Sequence, residues 1–159
     1  MVALNKIKKD NKTNIPLLLK ISPDINNSHI PEISDAAIKN NISAIILTNT
    51  TNGNRDNLIS ELKREEGGLS GDPLHQISTN MIKKFYKELN SKIPIIGVWG
   101  VNSGKSAYEK ILAGASLLQL YTGFVYRGPS TAKEIKKELI QILKTEGIKN
   151  IKEAVGAGI

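Results

Sequence analysis

The sequence contains no cysteine, and its two histidines, His29 and His75, lie far apart along the chain. The absence of thiols excludes disulfide bonds and cysteine-based catalysis, and two scattered histidines predict no metal site. Aromatic residues make up only 4% of the chain, and the net charge of +7 comes from lysines that alternate with glutamates, as in TAKEIKKELIQILKTEG. We therefore expect a solvated basic surface and no nucleic-acid partner.

Long hydrophobic runs are also missing. No stretch approaches the roughly 18 apolar residues of a membrane span, and the segment after Met1 lacks the apolar core of a signal peptide. We therefore expect no membrane segment in this chain and a cytoplasmic location. The chain has 159 residues, of which 40% are hydrophobic, so the sequence predicts one domain with a real core.

Four short apolar runs alternate with helical patterns. The runs cover 16–21, 43–48, 94–99 and 116–121, and the helical patterns cover 29–41, 75–90, 103–113 and 130–146. Runs of this length and continuity are typical of strands buried on both faces. Thr131 and Glu134 predict a capping box at the last helix, and Gly114 follows the third. Strands that alternate with helices predict parallel βαβ units in an α/β layer or barrel.

Polar or glycine-rich sequences follow all four predicted strands: KISPD, TNTT, GVWGVNSGK and YTGFVYRGP. The carboxyl ends of parallel strands meet at one edge, which is where α/β sheets and barrels place their ligands. The segment 49–74 after the second run is long and shows little periodicity, and such ordered loops tend to be functional. We therefore expect a ligand site at this edge.

The stretch GVWGVNSGKS, residues 97–106, approaches the phosphate-loop pattern G-x-x-x-x-G-K-[ST]. Gly104, Lys105 and Ser106 match the end of that pattern, but Trp99 stands where its first glycine is required. The pattern is therefore not met. A strand that ends in glycines before a helix still predicts free backbone N–H groups in the first helical turn, which form a general anion site.

Five motifs together carry a family resemblance: LLLKISPD, IILTNTT, EEGGLSGDPL, IPIIGVWGVNSGKSAYEKILAGASLLQLYTG and the GP at 128–129. In order and spacing they resemble the second half of dihydroorotate dehydrogenase of the membrane-associated, quinone-using class, from about residue 4 to the end. The resemblance implies a single partial domain over residues 1–159, built as the last four βα units of a (β/α)8 TIM barrel. It also implies FMN-dependent oxidation of dihydroorotate to orotate in pyrimidine biosynthesis.

The resemblance implies roles at the flavin ring and the substrate. Lys20 resembles the lysine that approaches the flavin ring, where a cation favours the anionic reduced flavin. Thr48 resembles a flavin contact. Asn49 and Thr50 resemble residues that hydrogen-bond orotate, and amide and hydroxyl groups suit a planar ligand rich in donors and acceptors.

A second group of residues resembles the cofactor and phosphate contacts. Gly71 resembles a glycine that lets the backbone approach the cofactor, although a tight turn explains it equally well. Gly100, Tyr121 and Thr122 resemble the phosphate cradle, which works mainly through backbone N–H groups. The alternative role of Tyr121 is core packing.

Two departures from the family pattern affect activity. The family's catalytic base is a serine of the first half, so this chain holds no matched base and we expect it to be inactive alone. Trp99 replaces a glycine of the family's GVGGV, which predicts either a left-handed backbone or a side chain in ligand space, and both impair FMN binding. Alternatively, Trp99 packs over apolar surface left bare by the missing half.

Four βα units cannot close a barrel, so we expect pairing with a separate N-terminal half or a homodimer. A non-catalytic, self-associating half-barrel that binds phosphate or no ligand remains an alternative function. A different phosphate-binding barrel enzyme is a third possibility, against which the TNTT and GGLSG motifs argue.

Overall fold

The computed structural model describes residues 1–53 and 55–159. Seven α-helices and four strands follow one another in these residues, with single turns of 3-10 helix at Asn27–His29, Glu61–Arg64 and Asp72–Leu74. The elements are α1 Val2–Asp10, β1 Leu18–Ile21, α2 Ile30–Lys39, β2 Ala44–Leu47, α3 His75–Leu89, β3 Ile95–Gly97, α4 Gly104–Leu112, β4 Ala115–Leu118, α5 Thr122–Arg127, α6 Thr131–Thr145 and α7 Ile151–Ala154.

The four strands form one parallel sheet in the order β1-β2-β3-β4. Each strand lies beside the next one along the chain, with helices in the connections, as expected for successive βα units. The register aligns Lys20 with Ile46, Ile46 with Ile96, and Ile96 with Leu117. The α/β fold class predicted from the sequence is confirmed.

The main core lies between the sheet and its helices. Ile45 and Leu47 of β2 pack in one cluster with Ile82 and Phe85 of α3, and all four are fully buried. Apolar residues of α3 recur every three or four positions, which places them on the one helix face that meets the sheet. Burial of each such side chain stabilises the fold by about 1.5–3 kcal/mol.

The other face of the sheet is partly bare. Successive strand residues point to opposite faces, so Lys20 and Ile46 face away from the helix layer. The predicted burial of all four strands is correct for β2 and β3 but wrong for the edge strands. Leu18 of β1 is 46% exposed and Leu117 of β4 is 62% exposed, because no described strand lies beyond either one.

Some local predictions were wrong. The capping box of Thr131 and Glu134 does not form: the Thr131 hydroxyl donates to the Gly128 carbonyl at 2.6 Å, and Glu134 accepts from Ser130. β4 ends at Leu118 rather than at residue 121, because the chain leaves the sheet to enter α5. Helices α1, α5 and α7 were not predicted. In the described residues, no helix is long and apolar enough to cross a membrane.

Candidate functional site

The long loop after β2 is closed upon itself. Thr51 and Leu69 form an antiparallel bridge, with N···O distances of 3.1 and 2.8 Å between their backbones. Inside this closure the Arg55 guanidinium donates to the carbonyl oxygens of Glu65, at 2.7 Å, and of Gly67. One side chain therefore holds distant parts of the loop together.

A cavity of about 650 Å³ opens at the carboxyl end of the sheet. Its walls come from the loops that follow three strands: residues from 55 to 73 after β2, 99–103 after β3, and residues between 120 and 127 after β4. Ligands of parallel α/β sheets bind at this edge. The cavity is therefore the candidate site, at the position expected from the polar strand ends.

Four of the residues singled out from the sequence line this cavity: Gly71, Gly100, Tyr121 and Thr122. Gly71 has φ +82°, and a Cβ there would lie 2.9 Å from Thr122 Cγ2, so both the backbone and the neighbour require glycine. The Thr122 hydroxyl lies 3.0 Å from that of Ser70. Tyr121 is 70% exposed, so core packing is not its role.

Trp99 lies between this cavity and the other predicted site residues. It lines the cavity, yet it is only 9% exposed, and its Nε1 donates to the carbonyl oxygens of Thr48, at 2.8 Å, and Asn49, at 2.9 Å. The Lys20 ammonium lies 5.7 Å from the ring centroid, a cation–π distance. Ile46 packs against an apolar cluster that Trp99 forms with Leu74 and Val98. The indole thus lies against Lys20, Thr48 and Asn49, three of the predicted site residues.

The backbone of Trp99 is left-handed, with φ +69°. The left-handed backbone predicted as one alternative for this residue is therefore confirmed, and its indole lines the cavity. A non-glycine residue in this region costs about 1–2 kcal/mol. The buried indole contacts must offset that cost.

Three of the remaining predicted residues, Lys20, Thr48 and Asn49, lie beside the indole rather than in the cavity, and Thr50 follows them in the chain. Lys20 and Asn49 are exposed, Thr50 is half-buried, and Thr48 is fully buried with its hydroxyl donating to the Asn49 carbonyl at 2.8 Å. A Cβ at Gly68 would overlap the Thr50 side chain, so the loop packs closely over that residue. The four residues therefore lie at the carboxyl ends of the neighbouring strands β1 and β2.

Asp24 was missed in the sequence and joins two strand ends. Its carboxylate accepts from the Thr51 hydroxyl and, at 2.9 Å, from the backbone N–H of Asn52. Hydrogen bonds to a carboxylate are stronger than those between neutral groups. The bonds fix the TNTT segment against the loop that follows β1. The sequence signal for this contact was an acidic residue after the first predicted strand and hydroxyl residues after the second.

The predicted anion site at the start of α4 is wrong. Ser103 and Ser106 form a capping box in which Ser103 Oγ accepts from the Ser106 N–H at 3.1 Å. The Gly104 N–H donates to the carboxylate of Glu138, which α6 carries to this position. The chain's own oxygens thus take up these two first-turn N–H groups, and Glu138 supplies the negative charge that the helix N-terminus favours.

A buried polar network lies behind Gly100 and was also missed. His75 Nδ1 lies 3.2 Å from the Gly100 carbonyl, and Nε2 lies 2.7 Å from Glu109 Oε2. Lys110 is fully buried, and its Nζ lies 3.1 Å from the hydroxyl oxygens of Ser78 and Thr79. Burial lowers the pKa of Lys110 to about 7, against a smaller raising effect of Glu109. Lone histidine and lysine residues gave no signal, since their partners lie about 25–35 positions away.

Clusters of three or more His, Asp or Glu side chains that could hold a metal ion are not found within residues 1–53 and 55–159.

A sequence model of dihydroorotate dehydrogenase matches residues 2–143, which is most of the chain. The chain belongs to the dihydroorotate dehydrogenase family. It corresponds to the C-terminal region of that enzyme.

Named relatives agree with this assignment. The chain is 46% identical over 143 residues to the mitochondrial dihydroorotate dehydrogenase (quinone) of Arabidopsis thaliana, covering 89% of this chain and 31% of the relative. It is 52% identical over 134 residues to the dihydroorotate dehydrogenase (quinone) of Wigglesworthia glossinidia brevipalpis, covering 84% of this chain and 40% of the relative. It is 40% identical over 157 residues to the dihydroorotate dehydrogenase (quinone) of Azorhizobium caulinodans, covering 99% of this chain and 44% of the relative. The chain therefore spans less than half the length of these relatives.

A solved structure gives the same result in three dimensions. The crystal structure of the Eimeria tenella dihydroorotate dehydrogenase in complex with ferulenol superposes with a TM-score of 0.86 at 41% identity, covering 89% of this chain and 38% of that one. The structural neighbours are TIM barrels. The four described strands thus match part of such a barrel.

Proposed function

We propose that this chain supplies the C-terminal half of a dihydroorotate dehydrogenase barrel and does not oxidise dihydroorotate by itself. The complete reaction converts dihydroorotate to orotate with FMN as the first hydride acceptor, and FMN supplies that redox chemistry when bound. The observation that carries the proposal is the position of Trp99 between the two parts of the candidate site.

The phosphate end of an FMN site fits the residues present. Gly71, Gly100, Tyr121 and Thr122 surround one cavity, and the first two are glycines with positive φ that bring backbone close to a ligand. The Thr122 hydroxyl adds a side-chain donor at the same wall. Backbone N–H groups and hydroxyls are common phosphate ligands in barrels of this kind.

The ring end does not fit a flavin while Trp99 holds its position. The indole N–H uses the Thr48 and Asn49 carbonyl oxygens, and the indole face meets the Lys20 ammonium. A flavin ring cannot contact these groups at the same time. We therefore expect weak or absent FMN binding.

The substrate end retains suitable chemistry. Asn49 presents an exposed amide beside the half-buried hydroxyl of Thr50, and Asp24 restrains the backbone that follows them. Such donors and acceptors suit the planar orotate ring. The chain has no residue that matches the family's serine base, and loss of a general base typically costs about 10²- to 10⁴-fold in rate.

A non-catalytic, self-associating half-barrel is the second candidate, and the bare face of the sheet favours it. Leu18 and Leu117 lie exposed on the two edge strands, and exposed edges and apolar patches are usually covered by a partner. The partner is either a separate N-terminal half-barrel or a second copy of this chain.

An orotate-formation assay tests both candidates. The 159-residue chain is assayed with dihydroorotate, FMN and a quinone, alone and with an N-terminal half-barrel taken from the Wigglesworthia relative. We expect no orotate from the chain alone. Orotate formation by the Trp99→Gly chain together with the half-barrel supports the first candidate, and association without turnover supports the second. Turnover by the chain alone would refute the proposal.

A further inference from the structure

His75 contacts the outer side of the Gly100 loop, away from the cavity. Its Nδ1 lies 3.2 Å from the Gly100 carbonyl oxygen and its Nε2 lies 2.7 Å from Glu109. A carbonyl and an ionised carboxylate both accept hydrogen bonds, so only the doubly protonated imidazolium donates to both. The neutral ring donates to one of them and leaves the other facing a lone pair.

This contact fixes the direction of one peptide group in the cavity wall. In a trans peptide the C=O and the following N–H point in opposite directions. The Gly100 carbonyl points to His75, so the N–H of Val101 points away from it. Among the residues that the structure describes, this N–H donates no hydrogen bond to the protein, although Val101 is only 3% exposed. Both residues of the peptide line the cavity.

The surroundings hold His75 firmly in place. The Lys110 Nζ lies 3.3 Å from the His75 carbonyl, which also accepts from the Thr79 hydroxyl at 2.7 Å. The hydroxyl of Ser78 donates to the carbonyl oxygens of Leu47 and Val98, so the network reaches β2 and the end of β3. A Cβ at Gly100 would overlap the Cα and Cβ of His75, so glycine is needed for this close approach.

We propose that His75 is a positioning residue that turns the Gly100–Val101 peptide so that its N–H faces a phosphate group in the cavity. A buried N–H without a protein acceptor is costly unless a ligand or water completes it. A phosphate oxygen completes it with a charge-assisted bond. The inference rests on the phosphate end of the proposed site and adds to it a residue that does not touch the ligand.

Two amide substitutions separate the hydrogen bond from the bulk of the ring. In His75→Asn the amide nitrogen takes about the place of Nδ1 and still donates to Gly100. In His75→Gln it takes about the place of Nε2 and faces Glu109 instead. We expect phosphate affinity near the wild-type value in His75→Asn and about tenfold weaker affinity in His75→Gln, since one donor to a charged ligand is lost.

The measurement is an amide NMR titration of the 159-residue chain with inorganic phosphate. In the free proteins, the Val101 amide resonance should move in His75→Gln and stay near its wild-type position in His75→Asn. Equal phosphate affinity in both variants, or an unmoved Val101 resonance in His75→Gln, overturns the positioning role alone. If phosphate shifts no cavity resonance of the wild-type chain, the proposed phosphate site fails and the inference fails with it.

Discussion

Replacing Trp99 with glycine should make the chain less stable and better able to bind FMN. The substitution removes an almost fully buried indole with its two carbonyl contacts and its cation–π contact to Lys20. Loss of such a side chain costs about 3–5 kcal/mol. Glycine at φ +69° recovers about 1–2 kcal/mol of backbone strain. The net loss in the free energy of unfolding is therefore about 1–4 kcal/mol.

The indole contacts, worth about 3–5 kcal/mol, oppose FMN in the wild-type chain, because the flavin ring has to displace the indole while the left-handed backbone remains. Removing this opposing free energy strengthens FMN binding about 150- to 4,000-fold. FMN fluorescence titration measures the affinity, and chemical denaturation measures the stability. Trp99 is the only tryptophan of the sequence, so its emission reports directly on whether FMN displaces it in the wild-type chain.

Trp99→Ala is the matched control. It removes the indole but keeps a Cβ on the left-handed backbone, so it should be about 1 kcal/mol less stable than Trp99→Gly. Its FMN affinity should rise as well, because the ring end is cleared in both variants. Equal FMN affinity in the wild type and in Trp99→Gly would refute the argument that the indole obstructs the site.

Two further outcomes are expected. Lys110 has a pKa of about 7 in the fold, against 10.5 for a free lysine, so the unfolded chain binds more protons between these values and stability should rise with pH there. Denaturation at pH 7 and pH 10 should show this rise in the wild type relative to Lys110→Met, by up to about 1.4 kcal/mol per pH unit, and identical pH profiles would contradict it. Light scattering should show a dimer, or a complex with an added N-terminal half-barrel, and Leu117→Lys should weaken either one. A wild-type chain that stays monomeric with the half-barrel present would exclude the half-barrel association.

The sequence was most informative for elements whose burial produces a local apolar pattern. The runs that became β2 and β3 are apolar throughout because both faces are covered in the fold, and periodicity identified α3 for the same reason. Helix α1 buries none of its residues and is joined to the end of α2 by the Asn5 side chain, which bonds the Asn40 carbonyl at 2.6 Å. A helix held in this way has no core-facing pattern for the sequence to show.

The candidate site was predictable in composition but not in arrangement. Motif resemblance selected glycine and hydroxyl residues, and four of them line one cavity, while their roles in binding stay predictions. The contact of Glu138 with the start of α4 could not be foreseen, because this residue comes from a helix 34 positions along the chain. The direction of the Trp99 ring likewise depends on carbonyl oxygens about 50 positions away.

The position of Trp99 has a consequence for how the fold depends on its surroundings. A diffusible ligand stabilises a folded protein only to the extent that its concentration exceeds its dissociation constant. The indole is attached to the chain, so its effective concentration near Thr48, Asn49 and Lys20 is fixed. Its contacts therefore do not require any solute. This end of the half-barrel therefore keeps its packing where flavin is scarce.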